Sequence, residues 1–347
     1  MNFGSDNYAG AHPAIAASLA KHAAGYATPY SMSDLDLAVQ RRFSAIFERD
    51  VAVFYVATGT AANSLSLASV AKPGGIVLAH EEAHIVVDEC GAPEYLSGQL
   101  RIVPVKGPDG KMELSELRRQ AERISGLDVH GGRLNAISVT QPTETGTFHS
   151  LEELDAIGKI AKEHKVPLHM DGARFANGLV SLGCSPAEMT WKRGVDILSF
   201  GGTKNGCWCA EAVVIFDVEK AREFAFIQKR AAQLFSKSRF VSAQFEAYLE
   251  NGLWLEIARH SNRMAADLAD AFGRSTSSRL IRQPPCNEVF VILKKNTIAV
   301  LESEGVVLLN WPASGEVEIC EDEQLCRFVT SFETTSEDIN RFRSLIT

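Results

Sequence analysis

The stretch Val166-Pro167-Leu168-His169-Met170 runs directly into Asp171-Gly172-Ala173-Arg174, so that a short apolar run ends in an acid and a base. Apolar runs of this length are typical of buried β-strands. A capping box at Ser150–Glu153 opens a segment with apolar residues at helical spacing, which predicts a helix before the strand. A helix that leads into a buried strand is typical of the crossover connections in parallel sheets.

Six further apolar runs of this kind occur in the first two thirds of the chain, mostly separated by segments of helical length. We therefore predict an α/β fold whose large domain holds a mostly parallel seven-stranded sheet between helices. The predicted strands are Val51–Ala57, Ile76–Ala79, Arg101–Val105, Leu134–Thr140, Val166–Met170, Val195–Phe200 and Ala212–Phe216.

The pattern changes after about residue 218, where two long helical stretches, Glu219–Phe235 and Phe240–Arg274, are followed by short strand candidates. These candidates are Glu288–Lys294, Gly305–Asn310 and Cys326–Phe332, and a final helix follows Ser336. This order predicts a smaller C-terminal α+β domain. We place the boundary inside a helix near residue 250, which gives a large domain of residues 1–250, including the N-terminal segment, and a small domain of 251–347.

The composition excludes several classes of protein. The 347 residues are 46% hydrophobic and 22% charged, which is typical of a globular chain and not of a disordered one. A net charge of −8 argues against a nucleic acid or an anionic membrane as partner. The first residues, Met1–Asp6, lack the basic and apolar regions of a secretory signal, so we expect no signal there. No apolar run approaches the roughly 20 residues that cross a bilayer. We expect a cytoplasmic protein.

The seven cysteines are an odd and scattered set without a Cys-x-x-Cys pair. This pattern predicts reduced thiols rather than a disulfide framework. Cys207 and Cys209 form the only close pair, and their spacing is too short for a usual zinc site. We therefore predict ordinary thiols here and no metal, and assign the pair no role.

Candidate binding residues follow the predicted strands, because ligands of open α/β sheets bind at the carboxyl ends of the strands. Thr58-Gly59-Thr60-Ala61-Ala62-Asn63 opens a helix with small residues, where backbone N–H groups can approach an anion. A tight turn with an N-cap threonine is the alternative interpretation. The chain has neither a Gly-x-Gly-x-x-Gly sequence nor a P-loop, so dinucleotide and nucleotide sites lack support.

Three more candidates lie at other strand ends: Asp171, Lys204 in the loop Gly201–Gly206, and His84. Taken singly, each has an ordinary explanation, as a turn aspartate, a solvated lysine or a structural histidine. Together with the helix start they match what pyridoxal 5′-phosphate (PLP) requires. That cofactor needs a phosphate cradle, a lysine for its Schiff base, an acid for its ring nitrogen and a group stacked on its ring.

With these residues in place, the chain resembles the low-specificity L-threonine aldolases, PLP-dependent enzymes of the aspartate-aminotransferase-like fold (fold type I). The likeness covers nearly the whole chain. The segments that carry it are Ser5-Asp6-Asn7, Tyr30-Ser31, Thr58–Asn63, Ala83-His84, His169–Arg174, Gly202–Gly206 and Arg327–Thr330.

The resemblance implies a role for each matching residue. Lys204 would carry the Schiff base, Asp171 would pair with the ring nitrogen, and His84 would stack on the ring. The residues implied to bind the cofactor are Gly59, Thr60, His84, Asp171, Arg174, Lys204 and Arg239. Those implied for the substrate are Ser5, Tyr30, Arg174 and Arg327, with Tyr30 closing the site from a neighbouring subunit, because family members are commonly homotetramers built from dimers.

The implied reaction is retro-aldol cleavage of L-threonine, L-allo-threonine or phenylserine to glycine and an aldehyde. Another PLP reaction, by a β-eliminating lyase or an aminotransferase, is the alternative, and a non-catalytic PLP-binding protein is a third. One segment departs from the family: Gln141–Gly146 replaces an Asn-Thr-His-Asn segment, and Glu144 stands nearest the family's second histidine. The base for the β-hydroxyl is therefore open, with His84 or a water that it positions as the candidate.

Overall fold

The predicted seven-stranded sheet is confirmed by the structure, a computed structural model that describes residues 1–312 and 317–346. Its strand order is β1-β7-β6-β5-β4-β2-β3. All neighbouring strands pair in parallel except β7, which is antiparallel to both β1 and β6. The strands are β1 Ala52–Val56, β2 Gly75–His80, β3 Arg101–Val105, β4 Arg133–Thr140, β5 Leu168–Gly172, β6 Val195–Gly201 and β7 Glu211–Ile215.

Helices connect these strands and cover the sheet. The predicted crossover helix begins at Leu151, where the Ser150 hydroxyl accepts the Glu153 N–H at 3.2 Å and the Glu153 carboxylate accepts the Ser150 N–H at 2.7 Å. The helices up to β7 are α1 Pro13–Lys21, α2 Asp34–Ile46, α3 Gly59–Ala68, α4 His84–Val87, α5 Ala92–Leu96, α6 Leu114–Leu127, α7 Leu151–Glu163, α8 Phe175–Leu182 and α9 Pro186–Met189.

The two long helical stretches expected after residue 218 are wrong as continuous helices. The chain instead forms α10 (Phe224–Arg230), α11 (Arg239–Leu249) and α12 (Leu253–Gly273). Asn251 and Gly252 separate the last two, with φ values of 51° and 75°. A residue in the left-handed conformation cannot continue a right-handed helix, so the helix ends here. The apolar pattern of the sequence continues across this point and therefore does not reveal the break.

A second, antiparallel sheet forms in the C-terminal part, in the order β10-β11-β9-β8. Its strands are β8 Ser278–Leu280, β9 Glu288–Lys294, β10 Leu309–Asn310 and β11 Glu323–Val329, and it is accompanied by α13 Lys295–Ser303 and α14 Ser336–Ile346. Strand β8 was not among the predicted strands. Strand β10 is shorter than the predicted Gly305–Asn310, because Val307 forms an isolated bridge with Asn2 instead of a ladder.

Two large apolar clusters correspond to the two sheets, and α12 contributes to both. Trp254 near its start packs in the cluster of the first sheet, whereas Met264 and Phe272 pack in that of the second. Phe3 also packs in the second cluster, and its carbonyl accepts the Val329 N–H at 2.8 Å. The division at residue 250 stays a prediction. Across the described ranges, 1–312 and 317–346, no helix is both long and apolar enough to cross a membrane.

Candidate active site

A cavity of about 300 Å³ lies at the carboxyl ends of β5 and β6. It brings together five of the residues that the sequence singled out. Its lining consists of Asn7, Ala57, Thr58, Gly59, Thr60, Asn63, His84, Asp171, Ala173, Thr203, Lys204 and Glu211. A larger cavity of about 800 Å³ lies at the opposite edge of the sheet, beside Arg133 and Pro167, and is lined by none of the predicted site residues.

The first turn of α3 supplies an anion-binding end to this cavity. The Thr58 hydroxyl accepts the Ala61 N–H at 3.0 Å, and its carbonyl accepts the Ala62 N–H at 3.0 Å. The N–H groups of Gly59 and Thr60 have no acceptor in the described part of the chain. A Cβ at Gly59 would meet no atom within 4 Å. These free donors at the positive end of the helix suit a phosphate group.

Asp171, at the end of β5, is only 4% exposed and is held in place from two sides. Its Oδ2 accepts a hydrogen bond from Asn63 Nδ2 at 2.8 Å, and its Oδ1 accepts the Ala173 N–H at 3.0 Å. A carboxylate fixed in this way can accept a further hydrogen bond from a protonated ring nitrogen.

His84 makes a hydrogen bond from Nδ1 to Glu89 Oε1 at 2.8 Å, and the same oxygen accepts Asn63 Nδ2 at 2.8 Å. The bond to Glu89 raises the pKa of His84 above its usual value, while burial raises the pKa of Glu89. Both raised pKa values favour a protonated hydrogen bond between His84 and Glu89. Asn63 thus links the histidine's partner to Asp171. Glu89 was missed because nothing in the local sequence shows that it is buried.

Replacing Glu89 by glutamine is expected to lower the pKa of His84, because the neutral amide no longer stabilises the imidazolium. An NMR titration of the His84 ring measures this change. Asp88→Asn is the matched control, since Asp88 is exposed and lies 3.5 Å from His84 Nε2. An equal drop in both variants would contradict the special role given to the buried Glu89.

Lys204 lies in a single 3₁₀ turn, Thr203–Asn205, that follows β6. The turn is anchored by Asn205, whose Nδ2 donates to Tyr248 Oη at 2.8 Å and to the Trp254 carbonyl at 2.9 Å. Gly206, at φ 98°, ends it in a conformation that favours glycine. The lysine is therefore held on a rigid turn at the cavity wall.

The two arginines predicted for the substrate carboxylate lie on either side of the buried Glu288. Its Oε1 is 3.2 Å from Arg174 Nη1 and 3.6 Å from Arg327 Nη1. Arg174 also donates to both oxygens of Asp6, at 2.8 and 3.1 Å. Burial alone would raise the pKa of Asp6, but the charges of Arg174 and Lys204 hold it below its usual value. Asp6 and Glu288 were missed because their partners are distant in sequence.

Replacing Asp6 by asparagine is expected to lower the free energy of unfolding by roughly 3–5 kcal/mol, because it leaves a buried guanidinium without its main partner. The stabilisation is present above the ordinary aspartate pKa of 3.8 and is lost as the pH falls through the lower folded value. Chemical denaturation at several pH values measures it. Glu163→Gln, which breaks the exposed pair with Arg118, is the control and should change little.

Five of the ten predicted site residues are not part of the cavity lining: the two arginines described above, and Ser5, Tyr30 and Arg239. Ser5 accepts the Asn7 N–H at 3.1 Å and lines a separate cavity. Tyr30 is 47% exposed, and Arg239 donates to the Gly25 carbonyl at 2.9 Å. Their roles stay predictions.

The thiols beside the lysine turn are partly or fully buried. Burial raises the pKa of both Cys207 and Cys209, and the Cys209 sulfur lies 3.3 Å from the Ala57 carbonyl. Within residues 1–312 and 317–346, no group of histidine, cysteine, aspartate or glutamate side chains is arranged to hold a metal ion.

Comparison with known proteins agrees with this geometry. A family model described as beta-eliminating lyase matches residues 2–296. A low specificity L-threonine aldolase from Pseudomonas sp. is 36% identical over 334 residues, covering 96% of this chain and 93% of that protein. Another, from Pseudomonas aeruginosa, is 37% identical, covering 99% and 96%.

Among solved structures, a threonine aldolase from Leishmania major matches with a TM-score of 0.92 at 26% identity, covering 99% of this chain and 98% of that one. The predicted aspartate-aminotransferase-like (fold type I) architecture is thereby confirmed. The family model and the near-complete alignments agree with the site residues that first suggested a resemblance, and the chain belongs to the beta-eliminating lyase family and, within it, to the low-specificity L-threonine aldolases.

Proposed function

We propose that this chain is a PLP-dependent lyase that cleaves L-threonine, L-allo-threonine and related β-hydroxy-α-amino acids such as phenylserine into glycine and an aldehyde. The observation that carries the proposal is the grouping of Lys204, Asp171 and His84 with the open start of α3 around one cavity. The named activity of the two Pseudomonas relatives supports the choice of reaction.

The cavity fits PLP on four counts. The free N–H groups of Gly59 and Thr60 suit its phosphate, Asp171 suits its ring nitrogen, and Lys204 offers a primary amine to its aldehyde. His84 supplies a flat ring at the wall. In addition, Asn63 Oδ1 and Glu89 Oε2 are buried without a hydrogen-bond partner among the described residues, as expected of a site that closes around a polar ligand.

Bound in this cavity, PLP would supply an electron sink for the negative charge that remains on Cα when the Cα–Cβ bond breaks. The task of Asp171 is to keep the ring nitrogen protonated by placing a fixed negative charge beside it. Its hydrogen bonds from Asn63 and Ala173 preserve its position during turnover.

The substrate carboxylate is the proposed ligand of Arg174 and Arg327. Arg327 Nε is buried and has no hydrogen-bond partner in the described part of the chain, so its N–H can donate to a new anionic ligand without losing an old bond. Arg174 is already held by Asp6 and Glu288, and it adds a fixed positive charge next to this position. Two guanidiniums would orient the amino acid as well as bind it.

The proton of the β-hydroxyl is the proposed target of His84. Because Nδ1 is engaged by Glu89, Nε2 is the nitrogen that can take up or release a proton. The hydrogen bond to Glu89 strengthens His84 as a base and stabilises the imidazolium that results.

The experiment that tests the proposal is an aldehyde assay. The purified protein is incubated with PLP and with L-threonine, L-allo-threonine or phenylserine, and acetaldehyde or benzaldehyde is measured over time. Release of aldehyde from all three supports the proposal, and the relative rates rank the diastereomers. Release of ammonia and a keto acid instead would favour the β-eliminating lyase reaction after which the family model is named.

We also propose a homotetramer, a dimer of dimers, in which Tyr30 closes the site of a neighbouring subunit. Tyr26, Tyr30 and Met32 form an exposed apolar segment, which is typical of an interface. Light scattering that finds a fully active monomer would exclude this arrangement. A cytoplasmic location is proposed as well, since the seven cysteines are unpaired and suit a reducing compartment.

A further inference from the structure

Glu211 begins β7 and lines the same cavity as Lys204, yet the reaction described above leaves it without a task. It is only 7% exposed. In the ladder it stands opposite Val56 of β1, the edge strand, and Gly201 of β6, so its backbone is paired on both sides where it borders the cavity. Burying a charged carboxyl without a partner costs free energy, so the presence of Glu211 in this position calls for an explanation.

The contacts of Glu211 differ from those of the buried carboxylates Asp6 and Glu288. Asp6 and Glu288 are paired with arginines, whereas Glu211 forms no ion pair within 4.0 Å in the described part of the chain. Its Oε1 accepts the N–H of Thr203, the neighbour of Lys204, at 3.2 Å. The carboxyl is thus attached to the turn that carries the lysine.

The surroundings of Glu211 allow it to change charge near neutral pH. Burial raises its pKa to about 7, the charge of Asp171 adds to this, and the charge of Lys204 opposes it. The titratable groups that face it are Lys204, Cys207 and Cys209 after β6, Asp171 on β5, and Tyr248 on α11. Helix α3, which also packs against β7, carries none.

We propose that the Glu211 carboxylate takes a proton from the Lys204 ammonium before that amine bonds to the cofactor's aldehyde, and returns it when the bond is broken. The proton balance is closed: the ammonium gives one proton to Glu211, and the two hydrogens of the neutral amine leave with the aldehyde oxygen as water. No oxidant or reductant is needed. This inference rests on the proposed function, since it assumes that PLP is the cofactor.

The chain offers a matched control in Asp196 of β6. Its Oδ2 accepts a backbone N–H, that of Leu168, at 3.0 Å, and burial raises its pKa as well. Asp196 lies in the larger cavity at the opposite edge of the sheet. Asp196→Asn therefore removes a comparable carboxyl without touching the Lys204 cavity.

The test measures how fast the cofactor-free protein captures PLP, followed by absorbance from about pH 5 to pH 9, with no substrate present. The wild-type rate should rise through about pH 7 as Glu211 ionises. Glu211→Gln keeps an acceptor for the Thr203 N–H but cannot take a proton. We expect its capture rate above pH 7 to fall by roughly tenfold or more, without the inflection, while Asp196→Asn behaves as wild type.

Capture by Glu211→Gln at the wild-type rate, with the same inflection, would overturn the inference. Glu211→Asp provides a second measurement if the glutamine variant does not fold. Because it retains a carboxyl, its capture rate should be lower than that of the wild type but should still show the inflection with pH. Loss of the inflection in Glu211→Asp would also count against the inference. If the wild-type protein captures no PLP at any pH, it is the proposed function that fails.

Discussion

Lys204→Ala is expected to lower kcat/KM for aldehyde release by roughly 10³-fold or more, because it removes the one lysine amine found among the described residues of the cavity lining. The protein should also lose the visible absorbance that a covalently held PLP gives. Both quantities are measured on the same preparation, after addition of an excess of the cofactor. The fold should survive, since the turn is anchored by Asn205 and not by the lysine.

Lys220→Ala is the matched control for this variant. Lys220 is exposed and lies at the opposite edge of the sheet, so its loss should leave turnover and absorbance unchanged. If Lys204→Ala retained both turnover and the visible absorbance, Lys204 could not be the residue that holds the cofactor, and the assignment of PLP would be contradicted.

Asp171→Asn is expected to reduce kcat/KM by roughly 10²- to 10³-fold. Asparagine retains nearly the same shape but not the negative charge that keeps a ring nitrogen protonated, so the electron sink becomes weaker. Steady-state kinetics with L-threonine measure the effect, and the loss should fall mainly on kcat, since the residue acts on the reacting ring and not on the substrate carboxylate.

Asn63→Ala tests whether the position of the Asp171 carboxylate matters separately from its charge. It removes one of the two donors that hold Asp171 but leaves the carboxylate in place, so its loss of activity should be smaller than that of Asp171→Asn. A near-normal rate for Asp171→Asn would show that the charge at this position is dispensable.

The sheet and half of the site could be predicted from sequence because each rests on a local pattern. Apolar runs between helical segments identify the strands, and parallel strands bring their carboxyl ends to one edge. For that reason Asp171 and Lys204, 33 residues apart in the chain, could be expected at one cavity. The capping box at Ser150 likewise predicted where α7 begins.

The remaining part of the site depends on contacts between distant segments. Glu89, Glu211 and Glu288 are ordinary acidic residues in the sequence, and only the fold shows that they are buried. Asp6 meets Arg174 across 168 positions. The helix break at Asn251 could not be predicted for a different reason. The local apolar pattern continues through it, although the backbone adopts the left-handed conformation there.

The most direct test of the central claim is the product balance of one reaction. The wild-type protein with PLP and L-threonine should form acetaldehyde and glycine in equal amounts, with neither formed by Lys204→Ala. Consumption of L-threonine with formation of ammonia and a keto acid, and without glycine, would contradict cleavage of the Cα–Cβ bond.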